Sequence, residues 1–164
     1  MPISIFARIG SIQGESQDAR HRDEIEVLSW SWGLSQPAGT GSGPGGGGGG
    51  GVGRVSVRDL HFTHHVDKAS PVLMTACAKG QHTARAVLSV RRAGAGQEDH
   101  LVITLTDVLV TAVSTSVDAE AGSTVEDVVL SFAKVDLEYR AQKPNGTLDS
   151  GVHFTHDLET GTVG

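Results

Sequence analysis

Apolar residues alternate with small or polar residues along much of the chain, and a period of two is typical of β-strands. The clearest case is the segment 24–33. There Leu28, Trp30 and Trp32 fall on one side of a strand, while Ser29 and Ser31 fall on the other. The pattern predicts one face that buries aromatic rings and one small, polar face that meets water or a loosely held partner.

The same period predicts about seven strands in all. Apart from the segment 24–33, they cover residues 3–9, 54–65, 82–92, 101–113, 125–140 and 151–158. Within 54–65 the apolar parity changes between Val57 and Leu60, which indicates a bulge or a change of facing. The side chains predicted to line one face of the strand 101–113 are Leu101, Ile103, Leu105, Leu109 and Val113. Residues 114–122 are polar and are predicted to be a connection.

One short helix is predicted over residues 71–79. Ser70 is a good N-cap, and Pro71 suits the first helical position because its missing N–H needs no partner there. An apolar stripe follows at helical spacing. Gly80 is placed to adopt the left-handed conformation that commonly ends a helix.

Residues 37–53 are rich in glycine and include an uninterrupted run of seven, which favours a loop. The 36 residues before it are too few to form a barrel of their own. We therefore predict a single domain, 1–164, with the loop 37–53 inside it. The predicted fold is mainly β: an antiparallel β-barrel with one short flanking α-helix and a long glycine-rich loop.

Composition and charge exclude several classes of partner. The chain has 13 Lys and Arg against 19 Asp and Glu, a net charge of −6, whereas nucleic-acid binders normally carry a basic footprint. No apolar run approaches the length of a membrane-spanning helix. The first residues lack the basic and apolar regions of a signal peptide. We therefore expect no nucleic-acid partner, no membrane association and, if the protein leaves the cell, another export route.

The candidate chemistry in the sequence is weak, so we predict no enzymatic activity, metal or cofactor. His61 and His64 would face opposite sides of a strand, and the single cysteine, Cys77, offers no second thiol for zinc. A formal G-x-G-x-x-G at 41–46 leads into more glycine instead of a helix, as a nucleotide site would require. No G-x-S-x-G nucleophile motif occurs.

Several blocks of sequence carry a resemblance that runs, in order, along nearly the whole chain. The blocks L-S-W-S-W-G at 28–33 and D-K-A-S-P at 67–71 are the most specific, and others are G-E-S at 14–16, D-L-H-F-T at 59–63 and L-S-F-A-K at 130–134. With these blocks the chain resembles the haemolysin-coregulated protein (Hcp) family of type VI secretion.

The resemblance implies a structural function. Family members are β-barrels that assemble into hexameric rings, and the rings stack into a tube that a contractile sheath propels. The expected partners are therefore other copies of the chain, effector proteins chaperoned in the lumen, and the sheath and spike proteins of the apparatus. The protein would be cytoplasmic before firing and then secreted without a cleavable signal peptide.

Two sets of residues are candidates for these contacts. Ser29 and Ser31, on the small polar face, are predicted to line the lumen and face cargo. The glycine run is predicted to form the contact between stacked rings and comprises Gly45, Gly46, Gly47, Gly48, Gly49, Gly50 and Gly51. Alternatives are a tube or filament subunit of another contractile injection system or extracellular assembly, a small β-barrel hydrolase and a monomeric ligand-binding barrel.

Overall fold

A computed structural model describes residues 2–37, 55–92 and 98–164. In chain order the elements are β1 (Ile3–Ile9), β2 (Ile25–Ser31), β3 (Leu34–Ser35), β4 (Ser56–Val57), β5 (Leu60–His65), α1 (Ala69–Lys79), β6 (His82–Arg92), β7 (Asp99–Asp118), β8 (Ser123–Tyr139) and β9 (Val152–Asp157). Strands dominate, as the period of two predicts. The two short strands β3 and β4 pair only with each other.

Six of the strands close into an antiparallel barrel. The hydrogen-bonded order is β5-β2-β1-β6-β7-β8, and β5 pairs with β8 to complete the ring. In the closing pair Leu60 stands opposite Leu130 and His65 opposite Val125. Strand β9 continues from β8 beyond the ring, with Leu137 opposite Phe154. The predicted antiparallel barrel with one helix is confirmed.

The core fills the barrel mainly with aliphatic side chains, joined by the rings of Phe62 and Phe132. Its most deeply buried members come from five strands and the helix, and they are Ile9, Ile25, Leu60, Phe62, Leu73, Ile103 and Val128. Because direct burial of such side chains contributes roughly 1.5–3 kcal/mol each, the barrel interior is the main source of stability. Helix α1 covers the barrel through Leu73 and Ala76, which belong to the same cluster.

The predicted inward face of β2 is only partly right. Trp30 and Trp32 do pack against the core, but Leu28 is 49% exposed. The cause is a register shift between Val27 and Ser29, which inserts one extra residue into β2 opposite β5. Such a bulge reverses the facing of the residues that follow it. Val27 and Trp30 can therefore both point inward although three positions separate them.

A similar change of phase occurs in β7. Ile103 and Leu105 are buried as predicted, but the inward set then continues with Val108 and Val110, and Leu109 is only half-buried. Asp107 between them has a φ of +55°, in the left-handed region that non-glycine residues rarely occupy. This local twist moves the apolar positions from odd to even numbers, and the prediction for Leu109 is wrong.

The predicted connection at 114–122 is in large part a strand. β7 runs on to Asp118 and pairs with β8 from Ser123, so that Ser114 lies opposite Asp127 and Val117 opposite Thr124. Only residues 119–122 form the turn. Valine and threonine favour strands, and a hairpin arm that stands in solvent on both faces needs no apolar alternation. The polar sequence of this arm therefore contains no alternation from which the strand could be predicted.

Helix α1 begins two residues before the predicted start. Its first turn is stabilised by Asp67, whose Oδ1 accepts a hydrogen bond from the Ala69 N–H at 2.8 Å, so the predicted cap Ser70 lies inside the helix. Gly80 ends the helix in the left-handed conformation, with φ +61°, as predicted. Across the described residues, no helix is both long and apolar enough to cross a bilayer.

Candidate functional site

Ser29 and Ser31 lie on the outer face of the barrel, where both are exposed. Cross-strand partners extend this face over four strands. Ser29 is opposite Thr63, Thr63 is opposite Asp127, and Asp127 is opposite Ser114. The next row runs from Ser31 through His61 and Val129 to Ala112. We call this surface the polar face; it consists of Ser29, Ser31, His61, Thr63, Ala112, Ser114, Asp127 and Val129.

Short side chains and hydrogen-bonding groups dominate the polar face. The Thr63 hydroxyl donates to Asp127 Oδ1 at 2.6 Å, which ties β5 to β8 on this side. Asp127 is the only carboxylate of the eight residues, and none of them is lysine or arginine. Such a surface can exchange hydrogen bonds with water or with a polar partner. It lacks the aromatic and arginine anchors that hold tight interfaces together.

Aromatic rings pack on the reverse side of the same strands. Trp30 is paired with Phe62 across β2 and β5. The Trp32 ring lies 6.4 Å from Phe132 and 6.3 Å from Phe154, and its indole N–H donates to the Arg58 carbonyl at 2.8 Å. These rings bury the inner side of the strand that carries the two serines.

The sequence pattern predicted that Ser29 and Ser31 share one face, but it did not predict their neighbours on β5, β7 and β8. His61 and Thr63 alternate with buried residues in β5, so the period of two did contain a signal for them. No local sequence pattern placed Asp127 or Ser114 on this face, because only the register of β8 against β5 and β7 brings them into the same rows. Ser114 also belonged to the segment predicted as a connection.

A buried ion pair lies directly beneath the polar face. His64 and Glu126 have no exposed surface, and His64 Nε2 is 2.9 Å from Glu126 Oε1. The second carboxylate oxygen of Glu126 accepts a hydrogen bond from the Thr115 hydroxyl at 2.8 Å. Asp67 Oδ2 is 3.8 Å from His64 Nδ1, too far for a hydrogen bond but close enough for its charge to act.

The two carboxylates decide the protonation of His64. Burial lowers the pKa of this imidazole, but the neighbouring charges of Asp67 and Glu126 raise it more, so its pKa lies above the usual value. The pair joins β5 to β8, the two strands that close the barrel. Its role is structural: none of its atoms reaches the polar face.

A second polar cluster anchors the segment that follows β1. Arg91 binds Asp18 through both carboxylate oxygens, with Nη1 to Oδ1 at 2.9 Å. This bidentate hydrogen bonding, opposed only in part by burial, holds the pKa of Asp18 well below its usual range. Nearby, His21 bridges Glu24 at 2.6 Å and Asp99 at 3.0 Å, and its ring stacks on Phe6 with centroids 4.3 Å apart.

The remaining candidates from the sequence are two histidines, one cysteine and the glycine run. His61 is exposed and His64 is buried, so the two do diverge. In the described ranges 2–37, 55–92 and 98–164, no group of three or more His, Cys, Asp or Glu side chains could hold a metal. Cys77 is a free, half-buried thiol on α1. The run Gly45–Gly51 and the G-x-G-x-x-G pattern at 41–46 lie outside the described residues.

Comparisons with known proteins agree with this architecture. Residues 6–139 match the family model "Type VI secretion system effector, Hcp". Protein hcp1 of Pseudomonas aeruginosa is 49% identical over 152 residues, which cover 92% of this chain and 91% of that protein.

Solved structures show the same relationship. The crystal structure of Hcp1 from Salmonella typhimurium has 34% identity and a TM-score of 0.78, with 99% of each chain covered. A structure of a type six secretion system protein has a TM-score of 0.91 at 23% identity over 99% of this chain and 100% of that one, which is a likeness of fold. The chain therefore belongs to the Hcp family and is a tube protein of the type VI secretion system.

Proposed function

We propose that this chain forms hexameric rings that stack into a tube, and that the polar face lines the lumen and holds effector proteins during transport. The sheath surrounds the tube and the spike caps it. The protein is made in the cytoplasm, needs no cleavable signal peptide and leaves with its cargo through the apparatus. Its contribution is mechanical and chaperoning, not catalytic.

The continuity of the polar face is the observation that carries the lumen assignment. Ser29, Ser31, Thr63 and Asp127 form adjacent positions on three strands, backed by buried rings. A lumen wall needs side chains that keep the pore wide and stay hydrated. Weak, exchangeable hydrogen bonds then let cargo be released after transport, whereas an apolar wall would retain it.

Substitution of Ser31 tests the assignment. Ser31→Gln adds a longer amide to the polar face on β2, next to His61 on β5. We expect rings of unchanged mass that retain less effector when the two proteins are purified together. Ser150→Gln is the matched control, because Ser150 is exposed on a loop outside the polar face.

The result distinguishes a position of Ser31 in the lumen from a position on the outer wall of the ring. Loss of effector from Ser31→Gln rings, with full retention by Ser150→Gln rings, supports the assignment. Equal retention by both variants would remove Ser31 from the cargo-binding surface. Light scattering on the same samples establishes that the rings are intact in each case.

The contact between stacked rings is the second part of the proposal. We assign it to Gly45–Gly51 because a segment without side chains can follow the contour of a neighbouring molecule at close range. This assignment rests on composition, and deletion of the run tests it.

A further inference from the structure

An arginine-lined cleft lies on the outer wall of the barrel, beside the segment that joins β1 to β2. The cleft has a volume of about 520 Å³. Arg8, Arg20 and Arg85 contribute to it from three separate segments. Its complete lining, which we call the arginine cleft, is Arg8, Gly10, Arg20, His21, Glu24, Arg85, Val87 and Ser89. In a chain with a net charge of −6, three arginines in one cleft are a marked concentration of positive charge.

Arg8 and Arg85 are held close together by strand pairing. Arg8 stands opposite Val87, and Arg85 lies two residues before Val87 on the same side of β6. Both arginines are exposed. Neighbouring like charges on one face of a sheet repel each other, so this arrangement costs stability unless an anion lies between them.

Nothing described in the chain neutralises these two arginines. Neither Arg8 nor Arg85 takes part in the ion pairs that the described residues form through Arg91, Lys134 and Lys143. The cleft does contain a carboxylate, that of Glu24, but His21 Nδ1 already binds it at 2.6 Å. The cleft is therefore suited to an acidic group from elsewhere.

The β7–β8 hairpin has the complementary charge. The turn carries Asp118 and Glu120, and residues 101–133 contain no lysine or arginine. At the tip, Asp118 Oδ1 accepts hydrogen bonds from the N–H groups of Glu120 and Ala121 at 3.0 and 2.9 Å, which fixes the shape of the turn. Glu120 is exposed, and Val117 beside the turn is 68% exposed. The tip thus combines carboxylates with an uncovered apolar side chain.

The tip cannot reach the cleft of its own chain. Arg85 stands opposite Thr106 on β7, and the strand then runs on to Asp118. At about 3.3 Å per residue this stretch is roughly 40 Å long, and it leads away from the cleft. The acidic tip and the arginine cleft can meet only between two molecules.

We propose that the hairpin tip of one copy, residues 117–122, docks into the arginine cleft of a second copy. Glu120 pairs with Arg85 and Arg8, and Val117 packs near Val87. The contact joins two different surfaces of identical chains, so it is heterologous and can close a ring or extend a stack. The inference rests on the proposed self-assembly and adds the residues that would carry one of its contacts.

Charge reversal with rescue tests the contact. Arg85→Glu and Glu120→Arg should each lower the mass measured by light scattering toward that of the 17.1 kDa subunit, because each brings like charges together. The protein carrying both changes should regain the assembled mass. Arg22→Glu and Glu159→Arg reverse exposed charges outside the cleft and the tip, and they should leave the mass unchanged. Circular dichroism checks that each variant is folded.

Disulfide trapping gives an independent answer. In a Cys77→Ser background, protein with Arg85→Cys is mixed with protein with Glu120→Cys and oxidised. A covalent dimer that forms at a much higher yield in the mixture than in either protein alone supports the contact.

Two results would overturn the proposal. Full assembly of both reversed variants, without heterotypic crosslinking, removes this contact while leaving the ring and its polar face intact. Wild-type protein that stays monomeric at every concentration rejects the ring assembly as well.

Discussion

His64 and Glu126 form an ion pair with a separation of 2.9 Å inside the barrel, and solvent reaches neither side chain. The pair connects β5 to β8 and so lies at the seam where the barrel closes. Transfer of two charged groups out of water is costly, and each repays the cost only while its partner is present. Stability should therefore depend strongly on keeping both members or on removing both.

Removal of Glu126 alone should destabilise the barrel. Glu126→Leu leaves a buried imidazole and the Thr115 hydroxyl without their acceptor, and we expect a loss of about 3 kcal/mol in the free energy of unfolding. Urea denaturation measures this loss. The control is Glu159→Leu, which removes an exposed carboxylate.

The double variant His64→Phe with Glu126→Leu tests the reason for that loss. It replaces both polar groups with apolar ones, so we expect it to be more stable than Glu126→Leu alone. A cost below about 1 kcal/mol for the single variant would contradict the buried-pair interpretation.

The same pair should make stability depend on pH. Because the pKa of His64 is raised on folding, its contribution is complete below the ordinary histidine value of 6.5 and is lost as the pH rises through the folded-state pKa. We expect the urea midpoint to fall across that interval. His64→Gln, which cannot take up a proton, should remove this segment of the pH profile while leaving the rest of it unchanged. A profile that is the same in both proteins would exclude His64 as the titrating group.

The link between Asp18 and Arg91 should stabilise the segment between β1 and β2, which covers one side of the barrel. Arg91→Lys keeps the charge but loses the two-point geometry, and we expect a cost of about 2 kcal/mol. The amides of Arg20 and His21, which donate to Asp18, should exchange hydrogen faster. Arg92→Lys, at the exposed neighbouring position, is the control.

Acid should weaken the same link. The pKa of Asp18 is depressed on folding, so its contribution is present above the ordinary carboxyl value of 3.8 and is lost as the pH falls through the folded-state pKa. In Arg91→Lys the pKa of Asp18 should move back toward that ordinary value, and carboxyl chemical shifts in a pH titration would report the change. An unaltered titration of Asp18 would show that the backbone amides alone depress its pKa.

Deletion of Gly45 to Gly51 should weaken stacking before it weakens folding. We expect single rings where the full chain forms taller stacks, as measured by sedimentation or electron microscopy, together with an unchanged thermal midpoint. Replacement of the run by seven serines keeps its length but adds side chains, and it should also weaken stacking because the backbone can no longer approach its neighbour as closely. A sharp fall in the thermal midpoint at unchanged ring size would instead make the run part of the barrel.

The fold could be predicted from sequence because a barrel interior imposes a period of two on every strand. Prediction failed where the backbone breaks that period. The bulge at Leu28 and the left-handed Asp107 each change which positions of the strand point inward. Neither a leucine nor an aspartate predicts such a change. The strand at 114–118 was not predicted for another reason. Both of its faces meet solvent, so its sequence has no apolar alternation.

The candidate site was predictable only within one strand. Ser29 and Ser31 share a face by simple alternation, whereas Thr63 and Asp127 join them through long-range register. Register depends on turns and bulges far along the chain, and a single sequence does not encode it in any local pattern. The ion pair of His64 and Glu126 was hidden in the same way, because 62 residues separate its members.

The closed ring of six strands also limits how such subunits can join. Backbone donors and acceptors in the middle of the wall are already used, and the N–H groups of Thr155 and Asp157 on β9 donate to Gly164 and Thr162. Over this part of the surface, contacts with another molecule are made by side chains, and such contacts are individually weak and separable, whereas a shared β-sheet would be close to permanent.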